Sequence, residues 1–292
     1  MKQLIVNSDD YGMTLGVNRA IAECHRSGIL TSATIIANGI AFEDAVAELK
    51  DLPGLAIGVH LNLSQEPPVS SPSEIPTLVN SRDELFLKPP RLLHRLASKK
   101  TRARDVETEL RAQIRRVFDA GISPDHLDGH LHTHVVPGVR EIVIKLALEF
   151  GITAVRCPIE YSGGVMHRAH ESLRARGGRA ARRFVAGGIS YFARRFKPLL
   201  DKAGLRTPAY FTGNAYVGAF DLVAMREILS SLPEGVTELM CHPGYVDKEL
   251  AATGGSLQSQ REKEVEAIVS PETRAMIEMN GIQLATYRSA GI

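Results

Sequence analysis

Short apolar runs alternate along this chain with stretches in which apolar residues recur every third or fourth position. Leu4-Ile5-Val6 predicts a buried strand that ends in Asn7-Ser8-Asp9-Asp10-Tyr11-Gly12. Residues 16–27 then read as a helix, with Val17, Ala20, Ile21 and Cys24 on one stripe and Gly28 as its stop. A second strand is expected over 30–37 and a second helix over 41–50, stopped by Pro53-Gly54. The third strand, Leu55-Ala56-Ile57-Gly58-Val59, delivers His60. Residues 104–120 carry Val106, Leu110, Ile114, Val117 and Phe118 at helical spacing, and the next strand runs into His126-Leu127-Asp128-Gly129-His130-Leu131-His132-Thr133-His134. Pro137 suits the first turn of a helix that reaches Phe150 and closes at Gly151. Further strands are expected over 152–157, over 236–241 before His242-Pro243-Gly244, and over 282–286. Ser270-Pro271-Glu272 and Gly281 bracket one more helix. Residues 64–103 differ: six prolines and no sustained period predict a long loop with a short helix near 90–98, a kind of loop that often carries function.

Alternating strands and helices predict an α/β fold with a parallel sheet, and no internal repeat accompanies the alternation. In barrels of this kind active sites gather at the C-terminal ends of the strands. Asp9, Asp10, His60, His130 and His242 all fall at such ends.

Composition narrows the picture. With 292 residues, 44% hydrophobic and 23% charged, the chain has the make-up of a globular protein, long enough for one large barrel or two ordinary domains. A net charge of +2 gives no reason to expect a nucleic-acid partner. Cys24, Cys157 and Cys241 are few, odd in number and far apart, as expected of reduced packing residues and not of a disulfide framework. Two acids arrive before a signal-peptide core could be completed, and no run approaches the roughly 18–20 apolar residues of a membrane span, so the sequence reads as cytoplasmic.

The histidine run is the densest chemistry. On an extended backbone His126, Asp128 and His130 share one face, joined by His132 and His134 if the extension continues. Imidazole with a neighbouring carboxylate suits Zn, Fe, Ni or Cu, although a histidine-rich solvated loop has the same composition. Asp9-Asp10 taken alone fits a solvated turn or helix cap, and His60 or His242 taken alone fits a core or capping role. Their shared strand-end placement favours a site instead. His25, His94, His167 and His170 are assigned to the surface. One Asp with two His makes an open three-ligand site that leaves room for water and substrate. A second carboxylate could then act as general base, and His242 as general acid.

Four stretches, Asn7-Ser8-Asp9-Asp10-Tyr11-Gly12, Ala56-Ile57-Gly58-Val59-His60-Leu61, His126 to His134, and Met240-Cys241-His242-Pro243-Gly244, resemble the YdjC-like carbohydrate deacetylases. The resemblance keeps the family's motif order and spans residue 3 to Tyr287. It implies a single domain over 1–292, a distorted TIM-like (β/α) barrel with parallel strands and an inserted helical segment, that removes acetyl groups from N-acetylated sugars. It further implies Asp10, His60 and His130 as metal ligands, Asp9 as general base and His242 as the histidine that protonates the amine. The family's usual metal is Mg²⁺, while the Asp-His-His set also suits Zn²⁺. His126, Asp128, His132 and His134 are expected to orient His130 and the chain around it.

Residues 159–207 stand apart. Between Arg168 and Lys202 there are ten Lys or Arg and two acids, Glu171 and Asp201, interleaved with Phe184, Val185, Ile189, Tyr191, Phe192 and Phe196. This reads either as a solvated helical insertion or as a basic amphipathic surface, through 168–202, that docks on anionic lipid or an acidic carrier. Barrels of this kind often pair, which admits a homodimer. The competing functions are another metal-dependent hydrolase or isomerase on the same barrel, or a non-catalytic sugar- or lipid-binding protein.

Overall fold

The computed structural model describes residues 1–161, 163, 173–252 and 257–292. Eight parallel strands form one curled sheet: β1 (Lys2–Tyr11), β2 (Ser32–Ile35), β3 (Ala56–Leu61), β4 (His126–Gly129), β5 (Ala154–Val155), β6 (Tyr210–Thr212), β7 (Gly235–Cys241) and β8 (Ile282–Leu284). Their order is β5-β4-β3-β2-β1-β7-β6, with β8 also on β1. The length of β1 allows this, because Lys2–Leu4 pair with β8 while Asn7, Ser8 and Tyr11 pair with β2 on the same edge. The two ends of the sheet are joined by the isolated bridges Ala154–Arg206 and Glu160–Phe211, so the curl is an incomplete, distorted TIM-like barrel. The α/β parallel expectation holds.

Ten α-helices are described: α1 (Leu15–Ser27), α2 (Phe42–Glu48), α3 (Pro89–Ala97), α4 (Ala103–Asp119), α5 (Arg140–Glu149), α6 (Leu173–Lys202), α7 (Leu222–Ser231), α8 (Lys248–Ala252), α9 (Gln260–Val269) and α10 (Pro271–Met279). Helix α1 starts where the Thr14 hydroxyl accepts from the Val17 N–H, and its stripe of Val17, Ala20, Ile21 and Cys24 is buried against the sheet. None of the described helices is long and apolar enough to cross a membrane.

Several boundaries differ from the sequence reading. Pro137 does not open α5, which begins at Arg140 after a turn. Strand β6 and helices α7 and α9 escape the pattern: β6 is three residues long, and α9 buries Arg261 and Glu264 on the face that apolar residues would otherwise mark. The 64–103 segment contains the expected helix, α3, but is not a slack loop. Two α4 carboxylates hold it: Glu109 accepts the N–H groups of Val69 and Ser70, each at 2.9 Å, and Asp105 accepts the Thr77 hydroxyl at 2.8 Å. Its own Ile75, Leu78, Leu85 and Leu87 are buried in the hydrophobic core.

Candidate active site

Side chains alternate across a strand, so every second residue enters the barrel. At its floor lie Ile5, Ala154, Ala285 and Tyr287, a small apolar cluster. Above them the interior is charged. Arg156, fully buried just past β5, donates to both oxygens of Asp9 (2.7 and 2.9 Å), approaches Asp128 Oδ2 at 2.7 Å and donates through Nε to Glu238 at 2.8 Å. The Tyr287 hydroxyl donates to the other Glu238 oxygen at 2.8 Å. His126 stacks on the Tyr287 ring with centroids 3.8 Å apart, and Gly58 is needed beneath it, because a Cβ there would lie 2.4 Å from the imidazole.

Neighbouring residues of a regular strand point to opposite faces, yet Asp9 and Asp10 both reach the site. The reason is a bulge. Between Ser8 and Tyr11, β1 spends one residue more than β2 does between Ala33 and Ile35, and Asp10 takes the left-handed φ of 71°. Such a conformation in a non-glycine residue costs free energy and is concentrated at functional sites.

His60 enters from β3. Its Nδ1 is 2.7 Å from Asp128 Oδ1, and the Thr34 hydroxyl donates to Asp128 Oδ2 at 3.1 Å. With Nδ1 so engaged, Nε2 is turned to the carboxylates, 3.6 Å from Asp10 Oδ1 and 3.9 Å from Asp9 Oδ2. His130 Nδ1 lies 3.1 Å from the same Asp10 oxygen, and Arg261 from α9 donates to the other at 2.6 Å. One ligand atom each from Asp10, His60 and His130 fall within 4.8 Å of one another. His242, just past β7, brings Nε2 to 3.8 Å from Asp9 Oδ2, and its backbone N–H donates to buried Glu264 at 2.5 Å.

Burial works against charge at Asp9, Asp10, His60 and His242, so the ions that persist among them do so through their partners. Burial raises Asp9, but Arg156 and His60 outweigh it and hold the carboxyl below its ordinary range. Asp10 is likewise carried well below its ordinary value, against burial, by Arg261 and His130. Burial disfavours the His60 cation, yet Asp128 and Asp9 push the ring up to about 9. For His242 burial outweighs the pull of Asp9, 3.8 Å away, and of Asp10, and takes the ring down to about 4, so it is neutral at pH 7.

A charge count tests whether a divalent ion fits. Four buried carboxylates, Asp9, Asp10, Asp128 and Glu238, face two guanidiniums, Arg156 and Arg261. Glu264 is excluded because burial pushes it up to about 7. With His60 neutral, as ligation requires, the excess of two negative charges in a low-dielectric interior matches one divalent cation; without an ion the His60 proton offsets one of them. The nitrogen and oxygen donors of Asp10, His60 and His130 suit a divalent ion.

The structure corrects part of the histidine reading. Extension stops at Gly129, and His130–Val135 turn as a 3₁₀ segment in which Leu131 and His132 are left-handed. Asp128 therefore engages His60 and not His130. His132 turns to Asn214 at 2.6 Å, His134 to the Arg156 carbonyl at 3.2 Å, and His126 to Asp125 at 2.7 Å. His25 is half-buried, bridging the carbonyls of Leu30 and Pro53, whereas His94 is exposed. His167 and His170 lie outside the described residues. Sequence reasoning missed Arg156, Glu238 and Arg261. The first two had a signal: a charge inside an otherwise apolar strand run requires a buried counter-charge. Arg261 sits among Gln-Arg-Glu-Lys-Glu and had none.

The family model for YdjC-like protein matches residues 3–279. A carbohydrate deacetylase of Brevibacillus brevis is 31% identical over 290 residues, 99% of this chain and 100% of that one. One from Geobacillus stearothermophilus is 33% identical over 285 residues, 97% of this chain and 96% of its own. Among solved structures, an Enterococcus faecalis protein described as a candidate cellobiose-phosphate cleavage protein superposes with a TM-score of 0.78 at 27% identity, covering 99% of this chain and 98% of that one.

Proposed function

The chain belongs to the YdjC-like family of carbohydrate deacetylases, and from that premise we propose that its strand-end site hydrolyses the acetamide of an N-acetylated sugar, an N-acetylglucosamine-type oligosaccharide or glycolipid, with a divalent ion held by Asp10, His60 and His130. The observation that carries this reading is the convergence of those three side chains beside a carboxylate, Asp9, that no longer needs a proton. Mg²⁺ or Zn²⁺ bound there would polarise the acetamide carbonyl and acidify a water.

The chain's own groups supply the rest. Arg156 fixes both Asp9 oxygens, so the carboxylate is ionised and oriented before substrate arrives. Asp9 takes the proton of the attacking water. His242 enters the reaction neutral, so it cannot be a pre-charged acid; with Nε2 3.8 Å from Asp9 Oδ2, it receives that proton and passes it to the departing nitrogen. Water is consumed, and acetate and a free amine leave. Acetate release from N-acetylglucosamine oligomers and glycolipids, by chelator-stripped protein with and without Mg²⁺ or Zn²⁺, tests the assignment. Metal-dependent release of acetate supports it; turnover of the same substrates into other products moves the site to a different hydrolysis or an isomerisation.

Metal binding should be proton-linked. The His60 ring holds a proton up to about pH 9 in the metal-free site and must lose it to become a ligand. Affinity should therefore climb about tenfold per pH unit between pH 7 and 8, with one proton released per ion. Titration calorimetry in buffers of different ionisation enthalpy reads the proton directly, and a flat affinity would remove His60 from the ligand set.

Helix α6 gives the anionic-lipid expectation a physical form. Its inner face buries Ala186, Ser190, Ala193 and Phe196. Its outer face leaves Phe184 85%, Val185 60% and Tyr191 51% exposed, with Arg183, Arg194 and Arg195 exposed alongside. Apolar side chains flanked by arginine suit an anionic bilayer surface. Sedimentation with phosphatidylglycerol vesicles should lose the protein when Arg183, Arg194 and Arg195 are changed to Glu; undiminished binding would count against this face. Cys24, Cys157 and Cys241 are buried free thiols, in keeping with a cytoplasmic location.

A further inference from the structure

We infer that Asn214 is a positioning residue for the metal ligand His130, acting through a latch on His132 across the mouth of the barrel. The inference rests on the proposed role of His130 and goes beyond it, because Asn214 lies on a different strand end, 84 residues away in sequence.

The turn that carries His130 is strained. Leu131 and His132 follow it directly with φ of 52° and 54°, two consecutive left-handed residues, neither of them glycine. The left-handed region brings Cβ against the backbone in any residue that has one, so such a pair persists only when the surroundings over-determine it. Leu131 does not supply the restraint, since its side chain is 46% exposed. His132 does. It is buried with its ring edge-on to Phe211 at 6.0 Å, and its Nε2 lies 2.6 Å from Asn214 Oδ1, the shortest tie that the turn makes to another element. Thr133 closes the turn locally, its hydroxyl donating to the His130 carbonyl at 3.1 Å, but that bond lies within the turn and does not fix where the turn sits.

Asn214 is itself held from outside. Its backbone N–H donates to Glu160 Oε2 at 3.0 Å, while Glu160 Oε1 accepts from the Thr212 hydroxyl and the Gly213 N–H, each at 3.2 Å. Gly213 has φ of 132° and lies so close to the Met240 carbonyl that a Cβ would meet it at 2.5 Å, which pins the 212–214 corner against the end of β7. The Glu160 N–H donates to Ser190 of α6 at 3.0 Å. A continuous run of contacts thus ties the inserted helix and the end of β6 to the turn that points His130 at Asp10. Residues that orient ligands in this way commonly change metal affinity about 10- to 100-fold when removed.

The test is divalent-ion affinity, measured by calorimetry with Zn²⁺ and with Mg²⁺ on the full chain, alongside the melting temperature. Asn214→Ala should weaken binding about tenfold. His132→Phe, which keeps a ring against Phe211 but removes the donor, should weaken it similarly and covers the case in which Asn214→Ala fails to fold. Leu131→Gly should bind as wild type. Asn214→Ala with Leu131→Gly should recover most of the lost affinity, because glycine adopts positive φ without strain and the latch has less to hold. A general packing defect would not be rescued in that way. Wild-type affinity in Asn214→Ala, or no recovery in the double variant, overturns the latch while leaving His130 in place. Affinity unchanged in His130→Ala instead overturns the ligand assignment, and the latch with it.

Discussion

Arg156→Met should be the most damaging single change in this protein, costing about 3–5 kcal/mol at neutral pH because one substitution leaves buried charges without their counter-ion. Methionine approximates the volume but leaves Asp9, Asp128 and Glu238 with no guanidinium among them. Melting should fall by roughly 10 °C, using about 2–4 °C per kcal/mol for large domains. The pH dependence identifies the cause. In the wild type, Asp9 and Asp128 are held below their ordinary pKa, so each stabilises the fold above about pH 4 and loses that contribution as pH falls through the folded value. Without Arg156 their folded pKa values rise above the unfolded ones, the folded state binds more protons, and stability falls as pH rises. The deficit should therefore be largest near pH 8 and shrink toward pH 5. Thermal melts of both proteins at the two pH values decide it: equal melting at pH 8 would mean that the carboxylates find other partners.

Asp9→Asn should leave the fold and the ion in place while lowering turnover about 10²- to 10⁴-fold, the usual contribution of a positioned general base. Asparagine keeps an oxygen for Arg156, which retains Asp128 and Glu238, so the destabilisation is smaller than in Arg156→Met. The Asp10, His60 and His130 donors are untouched. Metal content by elemental analysis and acetate release should thus separate, one preserved and one lost. Near-normal turnover would remove Asp9 from the proton path and leave His242, neutral at pH 7 and close by, to take the water's proton itself.

These expectations depend on features of unequal visibility in the chain. The alternation of apolar runs and helical stripes was enough for the parallel α/β architecture, because both patterns are local and follow from which faces are buried. Placing Asp9, Asp10, His60, His130 and His242 at strand ends needed only that alternation. The pairings were not legible. Asp128 lies two residues from His130 yet serves His60, since backbone extension ends at Gly129 and β4 lies alongside β3 with His60 opposite Asp128. Arg261 reaches Asp10 from 251 residues away, on a helix whose sequence has the look of a solvated surface.

By itself, then, the sequence determined the alternation of strands and helices outside β6, α7 and α9, the histidine and aspartate side chains that could ligate, and the strand ends that carry them, all set by short-range periodicity and residue type. Tertiary structure alone decided the rest: the bulge that turns both Asp9 and Asp10 inward, the arginine that bridges Asp9, Asp128 and Glu238, and the left-handed turn that aims His130. Each of these depends on groups distant along the chain meeting where water is excluded, and there the electrostatic partner of a charge is set by its position in space.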